Sequence, residues 1–185
     1  MEDRHPGREE CLELLKNYGT PAHVVRHCIA VADAALAIAR ALVEKGFVFD
    51  LALVQSAGLL HDVARAETEH WVSGAEYARR LGFAKEAEII RRHMNHSFDP
   101  DPAKLRELDL VCLGDRIVLE DRYVGFDARM DYVIKKAGGG ERIEKMISES
   151  KKVNSALARN IEEVIGVSID ELMLEGNSRK AADEH

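Results

Sequence analysis

GLLHDVAR, residues Gly58 to Arg65, closes a stretch in which Leu51, Leu53, Val54, Ala57, Leu59 and Leu60 leave no polar face. A helix that is apolar on all sides belongs in a core, so the adjacent His61 and Asp62 stand where water is scarce. Burying a polar group without partners costs about 2–7 kcal/mol, and a charge costs more. The doublet therefore requires hydrogen-bonding, ionic or metal partners from elsewhere in the chain. A His-Asp dipeptide is a weak motif taken alone, and its weight comes from its surroundings.

Working outward, almost every segment repeats at helical spacing. Glu9 to Asn17 predicts a short helix closed by Gly19. Thr20 as N-cap with Pro21 in the first turn opens a long helix that ends at Gly46, with Val24, His27, Cys28, Val31, Ala35, Ile38 and Leu42 inward. Asp50 caps the apolar helix, which runs to about Arg65. Thr68 or Ser73 opens the next, with His70 at its entrance, and Gly82 ends it. Ala84 to about Met94 places Ile90 and His93 on one face. After Phe98-Asp-Pro-Asp-Pro, Ala103 to about Val118 carries the stripe Leu105, Leu108, Val111, Cys112 and Asp115. Asp127 caps another helix, and Gly138, Gly139 and Gly140 make a break that lacks the Lys-Ser/Thr of a phosphate loop. A helix from Glu141 to about Val164 turns Ile143, Met146, Ile147, Val153, Leu157 and Ile161 inward, with Glu141 and Lys145 as a solvated pair. Ser168 caps a last turn, Ile169 to Leu174, and the tail from Gly176 is polar, with the composition of a disordered segment. The pattern predicts an all-α, single-domain helical bundle with no strand. It divides into an N-terminal segment 1–19, a core 20–130, C-terminal helices 131–174 packing on that core, and a tail 175–185.

A chain of 185 residues can bury one sizeable core without staples. Cys11, Cys28 and Cys112 are odd in number and embedded in helical patterns, which reads as small buried apolar residues in a reducing cytoplasm. The charged amino terminus lacks a signal peptide's apolar centre, and no apolar run has the length of a membrane span, so no membrane partner is expected. A net charge of −7 with scattered Lys and Arg argues against nucleic acid. A small phosphorylated substrate is compatible, because a metal or a few local arginines outweigh a distant acidic field. Oligomeric state is left open.

His27, the His61-Asp62 pair and Asp115 lie on inward faces of separate helices. Taken singly, each reads as a hydrogen-bonded core residue or half of an ion pair. Jointly, imidazoles and carboxylates on three helices that a bundle brings together read as a metal site in the core.

In this order and context the sequence resembles the HD-domain phosphohydrolases: His27 in VVRHCIAVA, His61-Asp62 in GLLHDVA and Asp115 in LVCLGDRIV match their His, His-Asp, Asp series, over roughly residues 20 to 130. Members with two metals insert two further histidines, and HWVSGAEYARRLGF and EIIRRHMNH nominate His70 and His93, similar to the diadenosine-tetraphosphate hydrolase branch. The interval from Asp62 to His70 is shorter than in that branch, and Arg65 stands where many members have lysine. His96 is assigned to the loop rather than to the site.

The resemblance implies a metal-dependent phosphohydrolase of the HD type, in which Asp62 bridges two ions. The ligands would be His27, His61, Asp62, His70, His93 and Asp115. Such donors suit Mn, Fe, Mg or Zn, one or two ions per chain. Two ions would sit about 3.5–4 Å apart, and a metal-bound hydroxide would attack phosphorus. Besides Asp62 and His61, the expected catalytic set includes Arg65 and Arg116 as phosphate clamps, each of which reads equally well as a surface arginine in an ordinary ion pair. Arg122 and Arg129 rank below them. Trp71, Phe98 and Tyr123 are the aromatic rings expected near the ligands. The alternative function is a catalytically silent metal- and nucleotide-binding regulatory module, and a structural adaptor ranks last.

Overall fold

The computed structural model describes residues 4–136, 138 and 141–174, apart from the side chains of 141–144, 146 and 147. Gly139, Gly140, the tail from Gly176, the stripe positions Ile143, Met146 and Ile147, and the Glu141–Lys145 pair lie outside that description. Among the described residues the chain is all-α with one minimal hairpin. The helices are α1 (Arg8–Tyr18), α2 (Ala22–Glu44), α3 (Leu51–Leu60), α4 (His70–Arg80), α5 (Ala84–Arg92), α6 (Glu107–Ile117), α7 (Gly125–Lys136) and α8 (Glu141–Ile165). A last helical turn covers 169–174.

α2 is the centre of the bundle, packed against α3, α6 and α8. Its Val31, Ala35, Ile38 and Leu42 are fully buried with Leu110, Leu113 and Ile117 of α6 and Leu157 and Ile161 of α8. A second core joins Cys11 and Leu15 of α1 to Leu59 and Leu60 of α3, Ala75 and Ala78 of α4, and Ile90 of α5. α2 is also 23 residues long and apolar enough to cross a membrane by length and composition, which corrects the expectation that no run has that length. Half of its most apolar stretch is buried inside the fold, so the central position of the helix is sufficient reason for its composition.

Several boundaries differ from the sequence expectation for local reasons. α3 ends at Leu60 rather than near Arg65: Val63 N donates to Leu60 O and Arg65 N to Asp62 O, a tightening into three-residue turns that puts His61 and Asp62 just past the helix. Thr20 is not the cap of α2. Its hydroxyl donates to Val63 O at 2.6 Å and ties the start of α2 to that turn. Asp50 does cap α3, accepting from Leu53 N at 3.0 Å. Neither Thr68 nor Ser73 caps α4, whose first residue is His70 and whose N-cap is Glu69. α6 starts at Glu107, after a separate turn at Pro102–Lys104, because Asp109 accepts from Arg106 N at 2.8 Å and fixes the entry there. Asp127 lies in the first turn of α7 rather than at its cap. In α8 Val153 is exposed and Asn154 buried, a one-residue rotation of the expected stripe that rejoins it at Leu157.

The expectation of no strand also fails: Val118–Leu119 (β1) and Arg122–Tyr123 (β2) pair antiparallel around Glu120 and Asp121. Glu120 has a φ of 55°, a left-handed conformation that non-glycine residues seldom adopt.

Sequence reading also missed a buried polar group. Glu86 of α5, 1% exposed, accepts from Ser56 Oγ at 2.7 Å and meets His5 Nδ1 at 2.6 Å. The other His5 nitrogen lies 3.0 Å from Asp50. The N-terminal segment is thereby fastened across α3 and α5.

Candidate metal centre

The turn after α3 delivers His61 and Asp62 to a point that α2, α4, α6 and the end of α5 also reach. Two groups form there: His27, His61 and Asp115, and Asp62, His70 and His93, each with its donor atoms within 4.8 Å of one another. All six residues expected from the sequence are thus brought together.

Asp62 joins the groups. Its Oδ2 lies 3.7 Å from His61 Nε2, and its Oδ1 lies 3.1 Å from His70 Nε2 and 3.6 Å from His93 Nε2. Asp115 Oδ1 is 3.2 Å from His27 Nε2 and 4.0 Å from His61 Nε2.

The imidazoles are held by backbone. His61 Nδ1 donates to Gly58 O at 2.8 Å, His93 Nδ1 to Ile90 O at 2.7 Å, and His27 Nδ1 to Glu120 O at 2.7 Å. A proton fixed on Nδ1 leaves the Nε2 lone pair facing the centre, as metal coordination requires. The unexpected hairpin therefore has a definite consequence: the left-handed Glu120 turn supplies the carbonyl that orients His27.

Two buried atoms at the junction, His61 Nε2 and Asp62 Oδ1, have no hydrogen-bond partner. Arg65 donates to His70 Nε2 at 3.1 Å, so that nitrogen has no hydrogen for the nearby carboxylate oxygen. A nitrogen lone pair and a carboxylate oxygen, one in each group and both buried without a partner, are a costly arrangement that divalent cations would satisfy. Nitrogen and oxygen donors without thiolate fit Mn, Fe, Mg or Zn.

Burial works against charge on Asp62 and Asp115. The neighbouring imidazoles of His61, His70 and His93 nevertheless hold Asp62 well below the usual carboxylate range, and His27 and His61 do the same for Asp115. Burial likewise opposes protonation of His27 and His93, yet Asp115 raises the first and Asp62 the second. Burial prevails at His61 and lowers it. A raised imidazole keeps its proton to higher pH, and a protonated ring cannot ligate. Metal affinity is therefore expected to weaken, as pH falls, from a point above the ordinary imidazole value of 6.5. Calorimetric metal titrations between about pH 5.5 and 8 would test this; an affinity flat across that range would contradict it.

The arginines separate. Arg65 Nε stands 3.5 Å from Asp62 Oδ2, with 43% of its side chain exposed at a cavity of about 640 Å³ above the two groups. Arg116 also borders the cavity, but its guanidinium donates to His96 O and, at 3.2 Å, to Asn154 Oδ1, and lies 4.3 Å over the Phe98 ring. It fastens the 96–98 segment and α8 to α6. Arg122 is exposed on the hairpin, away from the cavity, whereas Arg129 lines it. Of the expected aromatic rings, Trp71 packs edge-on to His70, Phe98 is buried under Arg116, and Tyr123 donates to Asp170. The ring that reaches the cavity is Tyr132, which sequence reading passed over. Its signal was the spacing Arg129, Tyr132, Val133 and Lys136 on one face of α7.

His96 lies outside both groups and pairs with buried Asp109 at 2.6 Å rather than solvating a loop. His93→Ala should lower bound metal per chain, whereas His96→Ala should retain the metal but lose about 1–2 kcal/mol of stability, because Asp109 is left without its partner. Elemental analysis and urea unfolding of both variants would separate them; equal metal loss would show that the two histidines have been wrongly distinguished.

A family model described as the HD domain matches residues 24–120, which span α2 through the hairpin turn. The chain belongs to the HD domain family. An uncharacterized protein of Methanocaldococcus jannaschii is 42% identical over 80% of this chain and 98% of its own length. Two proteins named tRNA (cytidine(56)-2'-O)-methyltransferase, from Thermoplasma volcanium and Picrophilus torridus, are 26% and 24% identical, each over 86% of this chain. The match spans half of the length of each. No solved structure matches at a comparable level. HD domains bind divalent metals and are generally metal-dependent phosphohydrolases.

Proposed function

We propose that this chain hydrolyses a small phosphate ester, most simply a nucleotide, with His27, His61 and Asp115 holding one divalent ion, His70 and His93 a second, and Asp62 shared between them. The observation that carries this reading is the split of the Asp62 carboxylate, one oxygen toward each group, at the floor of a cavity of about 640 Å³. That volume falls in the range of small-molecule sites. Ions held there supply a water of lowered pKa as nucleophile and positive charge for the phosphate oxygens.

The chain's own residues do the rest. The three backbone-anchored imidazoles keep their Nε2 lone pairs inward. Arg65 can turn from His70 toward a phosphate oxygen, since its exposed guanidinium costs little to move. Arg116, fastened to His96 O and Asn154, holds Asp115 and its helix in place and presents positive charge to the same cavity. No side-chain nucleophile is needed, and the nearby thiols are unsuited to the task, because burial pushes Cys28 and Cys112 far above the range in which a thiolate forms. A net charge of −7 supports a small ligand over a polyanion.

Mononucleotides, dinucleoside polyphosphates and sugar phosphates, assayed with Mn, Mg, Fe and Co in turn, should include at least one compound from which phosphate is released. EDTA should abolish the release and added metal restore it. Silence across the whole panel would favour the second reading, a metal- and nucleotide-binding module without turnover. That reading draws support from the relatives in which the matched region is half of a chain named for methyl transfer.

A further inference from the structure

The cavity has a wall that the proposed chemistry leaves unused. α7 turns Arg129, Tyr132, Val133 and Lys136 toward it, positions i, i+3, i+4 and i+7 of one helical face. Charge is segregated across the space. Asp62, Asp115, Glu120 and Asp121 belong to the floor and the hairpin, and no acid of α7 faces inward.

The cations on the floor side are engaged within the protein: Arg26 with Asp121 at 3.2 Å, Arg65 with Asp62 and His70, and Arg116 with His96 O and Asn154. Arg129 and Lys136 differ. Among the described residues neither has an acidic partner, and the Nε of Arg129 is buried without any hydrogen-bond acceptor. Both charges lie 5.8 Å from the centre of the same Tyr132 ring, so the two cations flank one aromatic side chain of this wall. Arg129, which carries a buried donor without an acceptor, and the exposed Lys136 both line the cavity, and together they give this wall the charge that an anion would meet.

We propose that α7 forms a second anion subsite: the substrate carries, besides the phosphate delivered to the His/Asp floor, a further phosphate that Arg129 and Lys136 receive, with Tyr132 packing against the part between. The position of the first phosphate rests on the hydrolase reading above; the existence of the second subsite does not.

The test uses the full chain loaded with Mn and two pairs of ligands that differ by one phosphate: adenosine 5'-monophosphate against adenosine 3',5'-bisphosphate, and fructose 6-phosphate against fructose 1,6-bisphosphate. In at least one pair the bisphosphate should bind about tenfold more tightly, the gain of one or two charge-assisted hydrogen bonds. The double variant Arg129→Gln/Lys136→Gln should bring that ratio near one while leaving the monophosphate affinity and the bound metal unchanged. If the double variant loses metal, the single Lys136→Gln, at an exposed position, carries the measurement and should reduce the ratio several-fold. An unchanged ratio in the variant, no preference in either pair, or parallel loss of both ligands would overturn the subsite. Because the readout is a binding ratio, it separates from the hydrolase reading. A bisphosphate preference without phosphate release would sink hydrolysis alone, and release from monophosphates without any preference would sink the subsite alone.

Discussion

Asp62→Asn is expected to lower phosphate release by at least about a thousandfold, roughly 4 kcal/mol of transition-state stabilisation, and to reduce the metal bound per chain. The size of the effect follows from geometry. Asp62 has one oxygen toward His61 and the other toward His70 and His93, so it is the anion common to both groups. An amide keeps the shape but loses the charge, and presents an NH₂ to one of the two sides where a cation would need an anionic oxygen. Asp115 remains as the other carboxylate of the centre and pairs with His27, so the first group should retain more metal than the second. The fold should survive, because the imidazoles keep their backbone anchors at Gly58, Ile90 and Glu120. Elemental analysis, steady-state rates and circular dichroism measure the three parts separately. A variant with full metal content and a rate within tenfold of the parent would refute the bridging role.

Four residues of the centre were legible in local pattern, since His27 and Asp115 interrupt apolar stripes and His61 and Asp62 follow a helix without a polar face. His70 and His93 came instead from the resemblance of their segments to those of two-metal HD-domain phosphohydrolases. The orienting groups were not legible. Glu120 acts through its carbonyl, which every residue possesses, and two-residue strands are too short to show alternation. Glu86 stands among Lys85 and Glu88 in a segment that reads as a solvated face, and its burial depends on His5, which lies 81 residues away in the chain. The slip from Val153 to Asn154 has a similar origin. Asn154 accepts from Arg116 of α6, a tertiary partner that periodicity within α8 does not register. What sequence reports is which face of an element turns inward; which neighbour meets it there comes from packing.

The packing that assembles the centre depends on two helical glycines, and the second large effect is expected at Gly114. A Cβ there would lie 2.7 Å from Val31 O and 3.2 Å from the Ala35 side chain; at Gly58 it would lie 2.8 Å from the Ala32 Cα. Neither contact can be relieved by turning a flexible side chain, because α2 backbone is what stands in the way. In a helix, alanine is intrinsically favoured over glycine by about 1 kcal/mol, so a site that tolerated the methyl group would be stabilised by Gly→Ala. Here the clash opposes that gain. Overpacking of a close core costs about 1–3 kcal/mol, and the net for Gly114→Ala should be a loss of about 1–2 kcal/mol. Gly114→Val adds two more methyl groups and forfeits the propensity gain, and should cost about 3 kcal/mol or more. The loss should extend to the centre, since the same contacts set how closely α2 brings His27 to Asp115, the neighbour of Gly114, and to His61, whose Nδ1 is held by the Gly58 carbonyl. An increase of only a few tenths of an ångström between α2 and α6 would spoil a 3.2 Å approach. Thermal unfolding and metal content of the Ala and Val variants should therefore fall together, Val further than Ala. A Gly114→Val protein as stable as the parent, with its metal intact, would mean that the helix spacing is not what gathers the ligands.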